Sequence, residues 1–140
     1  PYVQPHGAMR VALLLFGKVG TLSDPSSWSG DDAGDPRVVW LSHAAIRRQL
    51  IDANPDARFD TYAHSWNPAL GGVIDRLYAP VWSEHSPEWH NLSKVQSSSL
   101  SIARLLAAKR ATESARGLLY QLVFVVRQVD ETRHALLEGV

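Results

Sequence analysis

The chain contains no cysteine. Disulfides and thiolate metal sites are thereby excluded. Neither sign of charge is in excess: 14 Lys and Arg stand against 14 Asp and Glu, with no basic tail and no long run of like charge. Non-specific nucleic-acid binding requires a phosphate-neutralising surface, so nucleic acid is not an expected partner. Long apolar runs are also missing. The longest near the start, Val11 to Phe16, falls far short of the roughly 20 residues that span a bilayer, so no membrane span is expected. No small-residue cleavage pattern follows that run, and a signal peptide is not expected either. A cytoplasmic location fits these absences.

A chain of 140 residues is long enough for one domain with a sizeable core. Its hydrophobic content of 45% separates it from disordered sequences. It carries no internal repeat and no low-complexity segment. Pro1 to Ala8 holds two prolines and a glycine, so residues 1–9 are expected to form a loose leader and 10–140 a single α/β domain. The first residue is Pro1 and the one methionine is Met9, so either the natural start is Met9 or the chain is a piece of something longer.

The stretch from Gly117 to Asp130 holds an unbroken apolar run with β-branched and aromatic residues. That composition reads as a strand buried on both faces, as in a parallel sheet. At its carboxyl end the run releases Arg127 and Asp130. Ligands of open α/β sheets sit in the crevice outside the carboxyl ends of the strands, so these two are the first candidates for chemistry. The alternative is that they mark where the strand reaches water.

Upstream, Arg10 to Phe16 reads as the first buried strand, and Gly17-Lys18-Val19-Gly20-Thr21 follows it. Glycines at a strand end let the backbone turn and approach a ligand. Neither GxxxxGK[ST] nor GxGxxG is present, so a plain turn is the competing reading. Residues 22–36 form a polar loop whose Asp31, Asp32 and Asp35 do not match a calcium-binding spacing. Val38 to Asn54 reads as a helix with Val39, Ser42, His43, Ile46 and Leu50 on one face and Arg47 and Arg48 outside. Asn54-Pro55 stops it. Arg58 to Trp66 is the second strand, delivering His64 and Trp66 at its carboxyl end.

Ala69 to Leu77 is a short helix, and Val81 to Glu84 a short strand at the sheet edge. His85, Glu88 and His90 lie close in sequence, but Pro87 and the missing HExxH pattern favour a structural cluster over a zinc site. Ser93 to Arg116 is the longest helix, capped by a serine among Ser97 to Ser99. Its expected buried stripe is Leu100, Ala103, Leu106, Ala107 and Ala111, with Arg104, Lys109, Arg110 and Glu113 outward. Gly117 ends it. Residues 131–140 suffice for a little more helix.

Strands and helices therefore alternate, and the expected fold is a three-layer α/β/α arrangement with a mostly parallel, Rossmann-like sheet. Four blocks carry a family resemblance: the apolar strand ending at Gly17 with its polar turn Lys18 to Thr21; Phe59-Asp60-Thr61-Tyr62-Ala63-His64-Ser65-Trp66; Tyr78-Ala79-Pro80; and the serine-led helix running through Gly117 and Tyr120 into Val125-Val126-Arg127 and Asp130. In this order they resemble the N-terminal, nucleotide-binding half of a GT-A-type glycosyltransferase domain, of the kind found in polysaccharide-synthesis loci and in large viral or algal proteins. The resemblance covers roughly residues 10 to 130. Two positions depart from it. Gln121 stands where the family commonly has aspartate, and Arg127-Gln128-Val129-Asp130 is one residue longer than Arg-x-Asp. A slip of one residue turns a side chain to the opposite face of a strand.

The resemblance implies a nucleotide-sugar donor, a glycan or related hydroxyl acceptor, and a divalent metal, Mn2+ or Mg2+, offsetting the charge of the departing nucleoside diphosphate. It implies that Asp130 binds the metal and that Arg127 pairs with a phosphate oxygen through its fork of donors. It also implies that Gly17, Lys18 and Thr21 meet the nucleotide, with Asp60 and His64 bracing the site. The catalytic base would lie in the half beyond this chain. The competing reading is a non-catalytic α/β module that binds a nucleotide or a protein without turnover. A dinucleotide-dependent oxidoreductase is disfavoured by the absent GxGxxG.

Overall fold

A computed structural model of the chain describes residues 7–23, 33–89 and 91–128. Within them four strands and three helices alternate: β1 (Met9–Gly17), α1 (Pro36–Ile46), β2 (Ala57–Ser65), α2 (Gly71–Tyr78), β3 (Trp82–His85), α3 (Lys94–Arg116) and β4 (Leu122–Arg127). All strand pairs are parallel and the spatial order is β3-β2-β1-β4. Helices cover both sides of the sheet, giving a Rossmann-like three-layer α/β/α fold. Among the described residues no helix is long and apolar enough to cross a membrane.

Alternation of side chains along β1 builds two cores. Leu13 and Leu15 face α1 and α2, packing against Val38, Val39, Ile46, Ile74 and Tyr78. Ala12 and Leu14 face α3, packing with Tyr62, Leu105 and Ala108. The chain steps outward from β1 to β3 through α1 and α2 on one side. It then reverses, crosses through α3 on the other side, and lays β4 against the opposite edge of β1. Right-handed crossovers place helices on opposite faces when the stepping direction reverses, which accounts for the third layer.

Start and stop chemistry is local. Asp35 caps α1 by accepting from the Arg37 N–H at 2.9 Å, with Pro36 at the first helical position. α1 stops at Ile46 and continues as one wide π turn over Arg47–Ile51, so helical structure ends three residues before the expected Asn54. Ser93 caps α3 in a capping box with Gln96, a turn earlier than the expected Ser97 to Ser99. Gly117 ends α3 in the left-handed conformation, φ 62°, which a glycine adopts without strain.

Two expectations about burial are corrected. The stretch read as a strand buried on both faces is β4, and among the described strands β4 lies at an edge. Leu122, Val123, Phe124 and Val125 are 38–47% exposed, because α3 packs on β1 and β2 rather than on β4. No strand among the described residues pairs with its outer side. The central strand is β1, sealed from Val11 to Leu15. In α3 the buried positions are Ser97, Ser101, Leu105 and Ala108, whereas Ala103, Ala107 and Ala111 are exposed. The buried stripe begins with serines, so apolar spacing alone selects the wrong face.

The lead into β4 is anchored by a buried phenol chain. Tyr62 Oη and Tyr120 Oη lie 2.7 Å apart, and Tyr120 Oη donates to Asp60 at 2.8 Å. Burial and these partners push the Tyr120 phenol well above its ordinary pKa. Tyr120→Phe leaves the Tyr62 hydroxyl and the Asp60 carboxylate each short of a partner. The expected loss is about 1–3 kcal/mol of stability, read from urea denaturation.

Candidate functional site

Reversal of the strand order puts a topological switch point between β1 and β4. At its carboxyl edge the chain leaves β1 through Gly17, φ 123°, a conformation that favours glycine. A Cβ on Gly17 would lie 3.5 Å from Arg127 Cγ, so the two strand ends approach closely. The Arg127 guanidinium sits 5.7 Å from the Phe16 ring centroid, and its Nη2 donates to Ser98 Oγ of α3 at 3.3 Å. Gly17 and Arg127 are thus brought together.

Asn67 holds the turn that follows. Its Oδ1 accepts from the Val19 N–H at 2.7 Å and its Nδ2 donates to the Val19 carbonyl at 2.9 Å. Gly34 packs over this clamp: a Cβ there would stand 2.7 Å from Val19 O and 3.0 Å from Asn67 Nδ2. Lys18, fixed between Gly17 and the clamped Val19, does not face open solvent. Its ammonium is paired with Glu88 from the connection between β3 and α3, and the two side chains are 3% and 7% exposed. Thr21 lies further out, exposed, with its hydroxyl 3.2 Å from Ser23 Oγ.

His64, at the end of β2, is fully buried. Its Nδ1 is 2.7 Å from Ser101 Oγ, its Nε2 faces Arg104 Nη1 at 3.5 Å, and its ring stands edge-on to Trp66. Arginine offers only hydrogens, so Nε2 is the acceptor and Nδ1–H donates to Ser101. Burial lowers the His64 pKa to about 4; Glu84 opposes that shift, while Arg104 and His85 add to it. Arg104, expected to point outward, instead reaches Glu84 at 3.1 Å and Ser86 at 3.4 Å and lies over Trp89.

Ser65, His85 and Asp75 form a second polar chain. Ser65 Oγ is 2.7 Å from His85 Nδ1, and His85 Nε2 is 2.9 Å from Asp75 Oδ1. The connectivity is that of a nucleophile, base and orienting acid. Ser65, however, is wholly buried, so no substrate carbonyl reaches it. The chain fastens β2, β3 and α2 together. Gly71 makes room for it, since a Cβ there would meet His85 Cδ2 at 2.7 Å.

Asp130 and His90 lie outside the described residues. Among the described residues no three His, Asp or Glu side chains group closely enough to hold a metal ion. The carboxylates at this edge, Glu84 and Glu88, are engaged by Arg104 and Lys18, so they do not fit a hard cation's ligand set. Asp60 bonds Tyr120 toward the amino half of β2 and does not brace the carboxyl edge. An open depression of about 820 Å3 lies at the amino ends of β1 and β2, lined by residues such as Met9, Asn54 and Asp56. It lies at the opposite end of these strands from the polar groups of the carboxyl edge.

The expected Gly17, Lys18, His64 and Arg127 therefore gather at one edge. Asn67, Ser101, Arg104 and Glu88 complete that edge, and sequence reasoning did not place them there. Only the serines of α3 gave a signal, as polar residues at helical spacing.

The fold and this edge define a parallel α/β domain with polar groups gathered at the carboxyl ends of its strands. Comparison with protein-family models, with curated proteins and with solved structures gave no match.

Two outcomes follow from this geometry. Unfolded, the His64 ring protonates near pH 6.5; folded, it does so only near 4. The unfolded chain binds the proton first as pH falls, so this contribution to stability is complete above pH 6.5 and is lost between there and pH 4. The expected loss is about 2–3 kcal/mol between pH 7 and 4.5, at about 1.4 kcal/mol per pKa unit. Urea titrations measure it, and His64→Gln flattens the difference. Asn67→Ala strands the buried Val19 N–H and carbonyl and is expected to cost about 2–4 kcal/mol, read in the same way.

Proposed function

We propose that the chain is the donor-binding half of a glycosyltransferase-type domain, holding the diphosphate of a nucleotide sugar at the carboxyl edge of β1 and β4. In the complete protein the sugar passes to a hydroxyl of a glycan or related acceptor. The observation that most supports this reading is Gly17 meeting Arg127 where the strand order reverses. Backbone without a side chain on β1 permits close approach of a phosphate. The Arg127 fork supplies paired donors to the charge that grows on the leaving nucleoside diphosphate. Phe16 and Ser98 hold that guanidinium in place. No step is assigned to a metal, because the edge carboxylates described here are already held by cations.

A second reading, a nucleotide-binding module without turnover, is favoured by the pairing of Lys18 with Glu88 and of Arg104 with Glu84. No unpaired carboxylate among these groups stands ready as a base. Calorimetric titration with uridine and guanosine diphosphates tests the shared part. Arg127→Gln is expected to weaken binding about tenfold, the worth of one charge-assisted hydrogen bond. Equal affinities in the two chains would remove Arg127 from the site. Hydrolysis of a nucleotide sugar in the presence of manganese bears on the second reading: turnover by this chain would overturn the module without turnover.

A further inference from the structure

We propose that residues 86–89 plug an oxyanion site, with the Glu88 carboxylate occupying the place on Lys18 that a ligand phosphate takes. The proposal rests on the donor-binding reading and deepens it, since it names a second phosphate contact and the internal group that blocks it.

The two partners of the buried pair are held very differently. Lys18 belongs to the turn of the central strand, and Asn67 clamps the next residue through two hydrogen bonds. Glu88 comes from 70 positions away, in a connection that is neither helix nor strand. That connection is tied by a few polar contacts: Ser86 N–H to the carbonyl of buried Ser65 at 2.9 Å, Ser86 Oγ to Glu84 at 3.3 Å, and Trp89 beneath Arg104. Pro87 is exposed, and half of the Trp89 surface is open to solvent. The lysine is therefore the fixed partner and the carboxylate the movable one. A buried ammonium must be answered by an anion, but nothing requires that the anion come from this chain.

Two further groups lie at the same end of the sheet. Trp66 Nε1 and Ser97 Oγ are buried and have no hydrogen-bond partner among the described residues. Trp66 packs against His64, 4.8 Å between ring centroids, and against Trp89 of the plug at 6.4 Å. Ser97 sits one helical turn before Ser101, the partner of His64. An indole N–H can only donate, and a buried donor without an acceptor is costly. Lys18 is the cation of the proposed oxyanion site, and the indole N–H and the hydroxyl are further unfilled groups at that end of the sheet. Exchange of Glu88 for the ligand leaves Lys18 charged and paired throughout, so the buried charge stays balanced.

The test compares the whole chain with Glu88→Gln and with the double variant Lys18→Met/Glu88→Gln, using inorganic pyrophosphate and uridine diphosphate as probes in titration calorimetry at fixed ionic strength. Removing the competing carboxylate is expected to tighten pyrophosphate binding about tenfold, and the double variant is expected to lose that gain. Pyrophosphate is also expected to raise the unfolding temperature of Glu88→Gln more than that of the unaltered chain, since it restores an anionic charge beside Lys18. If the unaltered chain binds uridine diphosphate but Glu88→Gln binds neither probe more tightly, the plug is overturned and the donor-binding reading survives. If Glu88→Gln gains pyrophosphate affinity while no chain binds uridine diphosphate, the plug stands and the donor reading falls. Absence of binding in every chain overturns both. Should Glu88→Gln fail to fold, Pro87→Gly loosens the connection with both charges in place. A tightening of about threefold is then expected, on the scale of one residue's backbone freedom, and no gain overturns the plug.

Discussion

Strand β1 has a parallel neighbour on each edge and a helical layer on each face, and its run from Val11 to Leu15 is closed to water. Both cores are built on its alternating side chains, so neither helical layer can form without it. Its backbone direction also sets where polar groups can go. The strands are parallel, so every carboxyl end opens on the same edge, and Gly17, Ser65 and Arg127 arrive there together. A dry, hydrogen-bonded sheet leaves that edge as the place where the chain can turn, bend and expose donors.

At this edge buried polarity is answered group by group. Asn67 completes the hydrogen bonds of Val19, Ser101 answers His64, His85 links Ser65 to Asp75, and Glu88 answers Lys18. The partners come from the connection after β2, from α3, from β3 and from the connection after β3, so polar contacts fasten separate segments to this edge. Such networks specify one arrangement when every member is satisfied. Two groups are left short: Trp66 Nε1, whose ring packs on His64, and Ser97 Oγ, one helical turn before Ser101. The proposed binding role at this edge rests on that combination of rigid β1, paired charge and unfilled donors.

Several features were legible from residue order. The alternation of strands and helices, the parallel sheet, the capping glycine at 117 and the convergence of Gly17, His64 and Arg127 all follow from apolar run lengths and turn residues. Two inferences failed for the same reason. An apolar run such as Leu122 to Val126 says that a strand is fit for burial, not that helices reach it. The layer that would have buried it, α3, lies over β1 and β2 instead. Likewise, apolar spacing on α3 selected its alanines. Small serines let the helix approach β2, and a hydroxyl is what His64 requires. Asp130, the carboxylate implied for a metal, lies outside the described residues.

The sequence alone determined the class of fold, because run length, turn chemistry and alternation act over a few residues and need no partner. It also determined that Gly17, His64 and Arg127 stand at strand ends, since where an apolar run stops is a local property. Only the tertiary structure decided which strand is central, which face of α3 is buried, and that Lys18 is held by Glu88. Those outcomes depend on groups tens of residues apart meeting in space, and a buried charge takes whichever partner the packing brings to it.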